Sequence, residues 1–203
     1  MAVTSRRERA KADKRRRIVE ASRNLFARNG YEGTTVQQIA DEADIAVGTL
    51  FLYVRDKSDL LMLLFSERME EAVADARRFL DDKRPLKRSL VRFFERLMHF
   101  YEENPELSLL FWRELLLSPP ESRARVDQIT GSVIEALRDR VEIAKARLEI
   151  ASDVDPSIAA LHLYAIFHAT ISFHLVRCAP FSSSRETLTR LVESFWKGLN
   201  RPI

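Results

Sequence analysis

The chain has 203 residues, 46% of them hydrophobic, with only 5 Gly and 7 Pro; that supplies a sizeable core, and the prevalence of Leu, Ala, Arg and Glu favours helix throughout. Its single cysteine, Cys178, excludes an internal disulfide and points to a reducing compartment. The net charge of +3 is unevenly placed: residues 1–17 hold eight Lys/Arg against two Asp/Glu, whereas residues 61–203 hold 21 of each.

The opening run RRERAKADKRRR reads either as a solvated, partly frayed end or as an electrostatic footprint for nucleic acid, with Arg6, Arg7 and Lys14 as candidate contacts. Ile18, Ala21, Leu25 and Phe26 then recur at helical spacing and Gly30 follows as a stop, so the first helix is expected over residues 10–29. Thr35-Val36-Gln37-Gln38 has the pattern of a capping box. It opens a second helix with Val36, Ile39, Ala40 and Ala43 on one face. Asp44 is one of the few non-glycine residues that tolerate the left-handed backbone of a tight turn.

A third, short helix is expected from about Ala46 to Val54. Ile45, Leu50 and Val54 face inward together; Ala46, Val47, Thr49, Leu52 and Tyr53 are left outward. Such a bare first turn, with Gly48 letting the backbone approach, can enter a DNA major groove about 12 Å wide. An ordinary tight helical corner packs the same small residues against other helices. Lys57 lies in the first turn of the next helix, where the dipole disfavours a cation. A docked phosphate relieves that conflict; so do Asp56 and Asp59.

A fourth helix is expected to carry Leu60, Leu64, Ala72, Val73, Ala76 and Leu80, and a fifth Leu86, Leu90, Phe93, Phe94, Leu97 and Tyr101. Asn104-Pro105 opens a sixth, Pro119-Pro120 a seventh and Asp155-Pro156 an eighth that is apolar on nearly all sides. Ser183-x-x-Glu186 is a capping box for a ninth. The fold class expected is therefore all-α. A basic arm and three-helix helix-turn-helix domain occupy residues 1–57, and a larger helical bundle occupies 58–203, about nine helices in all. His162, His168 and His174 recur every six residues and do not share a face, so no metal site is expected. No phosphate-cradling glycine loop, nucleophile elbow or metalloprotease helix motif occurs, so neither an enzyme nor a cofactor is expected. No apolar run follows the basic start, so no secretory leader is expected; no stretch of about 18 uncharged apolar residues is read in the sequence, so no membrane span is expected.

Residues 18–60 resemble the DNA-binding domain of the TetR family of transcriptional regulators. The resemblance runs through Ile18, Ala21, Leu25, Phe26, Gly30, Tyr31, Thr34, Thr35, Val36, Ile39, Ala40 and Ala43, then Ile45, Gly48, Thr49, Leu50, Tyr53, Lys57 and Leu60. It implies that Thr35 meets a phosphate, that Ala46, Val47, Gly48 and Thr49 face bases, and that Tyr53 and Lys57 hold the backbone. Family members often carry Gly, Ser or Thr, Tyr and Phe where this chain has Asp44, Ala46, Phe51 and Val54. Ala46 forgoes a helix-capping hydroxyl, about 1 kcal/mol, and Phe51 has no hydroxyl for a phosphate. Recognition should then lean on Thr49, on apolar contact of Ala46 and Val47 with thymine methyls, and on the arm.

Beyond residue 60 the resemblance rests on length and helical character. It implies a homodimer on a (pseudo)palindromic double-stranded operator, paired through the eighth and ninth helices at Ile171, Leu175, Leu188, Val192 and Phe195. It also implies a small apolar effector in a pocket of Phe94, Leu97, Met98, Tyr101, Phe111 and Trp112, with Tyr164, Phe167 and His168 across from them. The function implied is a cytoplasmic, sequence-specific DNA-binding transcriptional regulator, a repressor that releases its operator on binding the effector, with no membrane partner. The alternative is a helical interaction or ligand-binding module that does not read DNA. Such a module has no use for the arm or for Lys57.

Overall fold

The computed structural model describes residues 6–80, 84–178 and 183–199. Among these it forms nine α-helices and no strand: α1 Arg6–Asn29, α2 Val36–Glu42, α3 Val47–Leu50, α4 Lys57–Arg77, α5 Leu86–Glu102, α6 Pro105–Leu117, α7 Pro120–Ala146, α8 Pro156–Leu175 and α9 Ser184–Leu199. The chain divides into two compact units. One takes the described residues up to Glu67 together with Arg113–Arg123; the other takes the described parts of Arg68–Trp112 and those from Ala124 onward.

In the first unit α1 begins at Arg6, ahead of the expected start, so the basic run is helix and not a frayed end. Arg, Lys, Ala and Glu are good helix formers. Asp13 also pairs with Arg16 at 2.8 Å and Arg17 at 3.6 Å, one turn on. Gly30 takes the left-handed conformation (φ 70°) that ends α1. The capping box forms as expected: Thr35 Oγ1 accepts from Gln38 N at 3.2 Å, and Gln38 Oε1 accepts from Thr35 N at 2.8 Å. Asp44 sits at φ 52°, as a tight turn there requires.

The third helix is shorter than expected. It ends at Leu50, after which the chain tightens into three-residue turns, with Leu52 N bonded to Thr49 O at 3.1 Å and Tyr53 N to Leu50 O at 2.9 Å. Ala46 gives it no side-chain cap, as its missing hydroxyl dictates. A four-residue helix has no stability of its own. Leu50, its one buried residue, inserts into a core containing Ile18, Leu25, Phe26, Ile39, Ala40, Val54 and Leu60. Truncating Leu50 to Ala costs about 2–5 kcal/mol and frees the element from its scaffold.

In the second unit, α9 packs on α8 and α5 over a core that includes Leu90, Phe93, Leu97, Leu137, Val141, Leu163 and Leu188. The expected starts are capped. Asn104 Oδ1 accepts from Leu107 N at 3.0 Å, Asp155 Oδ1 from Ser157 N at 2.8 Å, and Ser183 Oγ from Glu186 N at 3.1 Å. The expectation of no spanning segment needs correction. Helix α8 has no Asp, Glu, Lys or Arg, and with a mean hydropathy of 1.4 it is long and apolar enough to cross a membrane by length and composition. Its packing against α9 and α5 accounts for the apolar residues on the covered faces, while the apolar residues of its remaining face are exposed.

Candidate nucleic-acid interface and effector cluster

The first unit presents α3 on its surface. Ala46 and Gly48 are exposed, and Val47, Thr49 and Tyr53 are half-buried. A Cβ placed on Gly48 meets nothing within 4 Å, so the protein itself leaves that space open. Phe51 is 49% exposed and Leu52 81%. The sequence reading turns Leu52 outward but gives it no role; its exposure together with Phe51 is a feature of the turn that ends α3. Arg6 and Arg7 are exposed on α1 and Lys14 is half-buried. Arg17, which the sequence reading passes over, braces the turn before α3. Its Nη1 donates to both the carbonyl and the carboxylate of Asp44 at 3.3 Å. No local signal links residues 27 apart. Thr35 is exposed at the start of α2, but its hydroxyl is committed to Gln38.

Lys57 differs from its expected role as a free phosphate ligand. Its Nζ donates to Tyr31 O at 2.9 Å and Thr34 O at 3.2 Å, and lies 4.3 Å from the centre of the Tyr31 ring. It is an internal clip between α4 and the α1–α2 turn. The physical reason is that the turn's carbonyls accept the ammonium more closely than the nearby carboxylates do. Glu32 stands 4.0 Å away. Asp56 Oδ1 accepts from Asp59 N at 2.8 Å, and Asp59 takes the Arg55 guanidinium at 2.9 Å. Burial, chiefly, and the charges of Glu114, Glu32 and Asp56 push the Tyr31 phenol up to about 12. The Arg55 hydrogen bond, supported by Ser122 at 2.5 Å, holds the Asp59 carboxyl at about 2.

In the second unit the nine expected pocket residues behave mostly as a ring-to-ring cluster. Phe94 stacks on Phe167 at 5.1 Å; Tyr101 stands edge-on to Phe167 at 6.4 Å and to Trp112 at 6.2 Å; Trp112 meets His168 at 4.5 Å. Phe94, Leu97, Met98, Tyr101, Phe111 and Phe167 are buried, and Trp112 and Tyr164 are half-buried. His168 is the exposed edge, its pKa pushed down by partial burial. Burial drives the Tyr101 phenol well above its ordinary value. Tyr164 Oη lies 3.5 Å from Thr130 Oγ1, a polar pair beside the rings. A recess of about 410 Å3, lined by residues including Leu109, Phe173, His174, Arg177 and Ser184, draws on none of the nine.

The expected interface residues need correction. Ile171, Leu175, Leu188 and Val192 are buried inside the single chain, at 0–5% exposure, because the α8 and α9 stripes that carry them face each other and α5. They are not available to a partner. The outward side of α8 is another set at the same helical spacing: Ile158 at 51% exposure, Leu161 at 52%, and exposed His162 and Ala165. Half-buried Phe195 borders it, its ring 5.9 Å from that of His162.

Comparison with known proteins fits this geometry. Residues 18–63 match the model of the bacterial regulatory proteins of the tetR family. The chain is 25% identical over 162 residues to the fatty acid metabolism regulator protein of Bacillus subtilis, spanning 80% of this chain and 84% of that one. It is 27% identical to the transcriptional repressor KstR of Rhodococcus jostii over 128 residues, 63% of this chain and 59% of that one. The fold superposes on Thermus thermophilus FadR, a TetR-family repressor solved with lauroyl-CoA, with a TM-score of 0.75 over 93% of this chain and 96% of that one at 21% identity. Residues 18–63 are thus similar to the DNA-binding segment of the tetR-family regulators, and the fold around them is the one such regulators have; a helix-turn-helix with a bare recognition element in that setting is the arrangement of a DNA-binding transcriptional regulator.

Proposed function

We propose that the protein is a ligand-responsive repressor: a cytoplasmic homodimer that holds a pseudo-palindromic operator and releases it when a long apolar effector enters the second unit. The effector class we propose is an acyl-CoA thioester. The observation that carries the reading is the cluster of Phe94, Tyr101, Trp112 and Phe167, one large apolar volume with Tyr164, Thr130 and His168 as its polar fringe. Its likeness to a FadR bound to lauroyl-CoA and to a fatty acid metabolism regulator supports that choice. The rings fill their own space, since Phe94 and Phe111 are fully covered. An acyl chain therefore has to part them, which biases the helices toward a second arrangement. That bias cannot exceed the effector's affinity difference between the two forms. Two readers enter successive major grooves only when about 34–36 Å apart, so a small respacing of a dimer joined along the bare side of α8 suffices to release DNA.

The test is fluorescence polarisation of operator DNA, obtained by selection from random duplexes, against saturated acyl-CoAs of increasing chain length. Free coenzyme A and the free fatty acids serve as comparisons. Release that rises with chain length and needs the thioester supports the reading. Operator binding untouched by every acyl-CoA overturns the effector class, and binding to no operator at all overturns the repressor.

A further inference from the structure

From Ile45 to Val54 the reading element runs Ile-Ala-Val-Gly-Thr-Leu-Phe-Leu-Tyr-Val, ten residues with no charged, amide or imidazole side chain. Leu50 and Val54 are buried and hold the element down. Ala46, Gly48, Phe51 and Leu52 are exposed, Leu52 by 81%, and Val47, Thr49 and Tyr53 are half-buried, Val47 and Tyr53 packing partly on the core below. Single exposed apolar residues need no explanation, but a run of them on one small element marks a contact surface.

The chemistry of base edges narrows what that surface can read. In the major groove guanine is read by Arg or Lys, adenine by Asn or Gln, and the cytosine amine by a carboxylate. None of these side chains occurs in the element. The thymine 5-methyl group is the base-edge feature that an apolar surface complements. Positive charge stands on the same unit, where Arg6 and Arg7 of α1 are exposed; Arg17, paired with Asp44, braces the element's entrance. We propose that operator sequence is read chiefly through thymine 5-methyl groups seated against Val47, Phe51 and Leu52, with the Thr49 hydroxyl the one polar base contact of α3. The reading rests on this unit's being the DNA-binding face and adds what that face recognises. The apolar patch takes over a task that Arg or Asn performs by hydrogen bonds, so its selectivity is the burial of methyl groups. Each buried methyl is worth about a fourfold change in affinity, from ~0.8 kcal/mol per methylene.

The experiment uses the full chain and an operator obtained by selection from random duplexes. Each thymine is then replaced in turn by deoxyuridine, which keeps the pairing and the O4 acceptor and removes only the methyl. We expect the selected consensus to carry thymines at the groove-facing positions of each half-site. Uracil at those positions weakens binding about fourfold per half-site, or about fifteenfold when both symmetric thymines are changed. Leu52→Ala, at a site so exposed that the melting temperature should not move, removes the uracil penalty at one position and leaves the others. An operator bound tightly but indifferent to every thymine-to-uracil replacement overturns the proposal while leaving DNA recognition intact. So does a uracil penalty that Leu52→Ala and Val47→Ala both fail to diminish. Failure to select any sequence removes the DNA reading itself.

Discussion

Replacing Lys57 by Met keeps the apolar stem of the side chain and deletes its ammonium. Two hydrogen bonds go with it, to Tyr31 O at 2.9 Å and Thr34 O at 3.2 Å, along with the cation held 4.3 Å from the Tyr31 ring centre. A charge-assisted bond is worth about 1.5–3 kcal/mol when buried. The Lys57 side chain is 24% exposed, and freed surface carbonyls regain water, so the two bonds together are nearer ~1–2 kcal/mol. The ring contact adds about 0.5–1 kcal/mol. A loss of about 2 kcal/mol lowers the melting temperature of a chain this size by about 4–8 °C. The assay is a thermal melt followed by circular dichroism, paired with operator binding at several salt concentrations. Affinity falls with stability, through a loosened α1–α2 turn, but the slope of log K against log salt stays as it was. An unchanged melt, with the slope shallower by about one for every phosphate no longer neutralised, would show that Lys57 spends its charge on DNA and not on the turn.

Gly48→Ala adds a methyl that meets nothing within 4 Å in the protein, so stability holds or rises by up to about 1 kcal/mol while operator affinity drops about tenfold; equal affinity would place Gly48 away from DNA. Asp59 has a folded pKa of about 2, below its ordinary value, so its stabilisation is full above about pH 4 and is lost as pH falls through 2. Asp59→Asn should lower the melting temperature at pH 7 and converge with the parent near pH 2; a constant difference across that range rejects the linkage. Leu161→Asp, at a position 52% exposed in the single chain, should yield a folded monomer by sedimentation that no longer binds a full operator; a dimer of undiminished affinity would move the interface off α8. Deleting residues 1–15 should weaken binding at 150 mM salt without a large change in melting, since Arg6–Asp13 are all exposed; equal affinity would make the run a solvated helix only.

Helix starts and turns were legible because their causes are local. The Thr35–Gln38 box, the left-handed Asp44, the uncapped Ala46 and the Asn104, Asp155 and Ser183 caps each involve residues within four positions of one another. The helix-turn-helix was legible for the same reason: its three helices are consecutive, and one ordered pattern of buried residues describes them. Periodicity also marked the apolar stripes of α8 and α9, but periodicity says only that a face is covered, not by what. Ile171, Leu175, Leu188 and Val192 are covered by their own chain, and only the packing of α8, α9 and α5 revealed that Ile158 and Leu161 are the ones left bare. Lys57 is the same lesson in polar form. Its place in the first turn of a helix suggested a waiting phosphate. The carbonyls that occupy it come from residues 23 and 26 positions away, and such a partnership exists only after the chain has folded back on itself. Composition and spacing settle what a residue can do; the long-range contacts that folding imposes decide which of those capacities remains free.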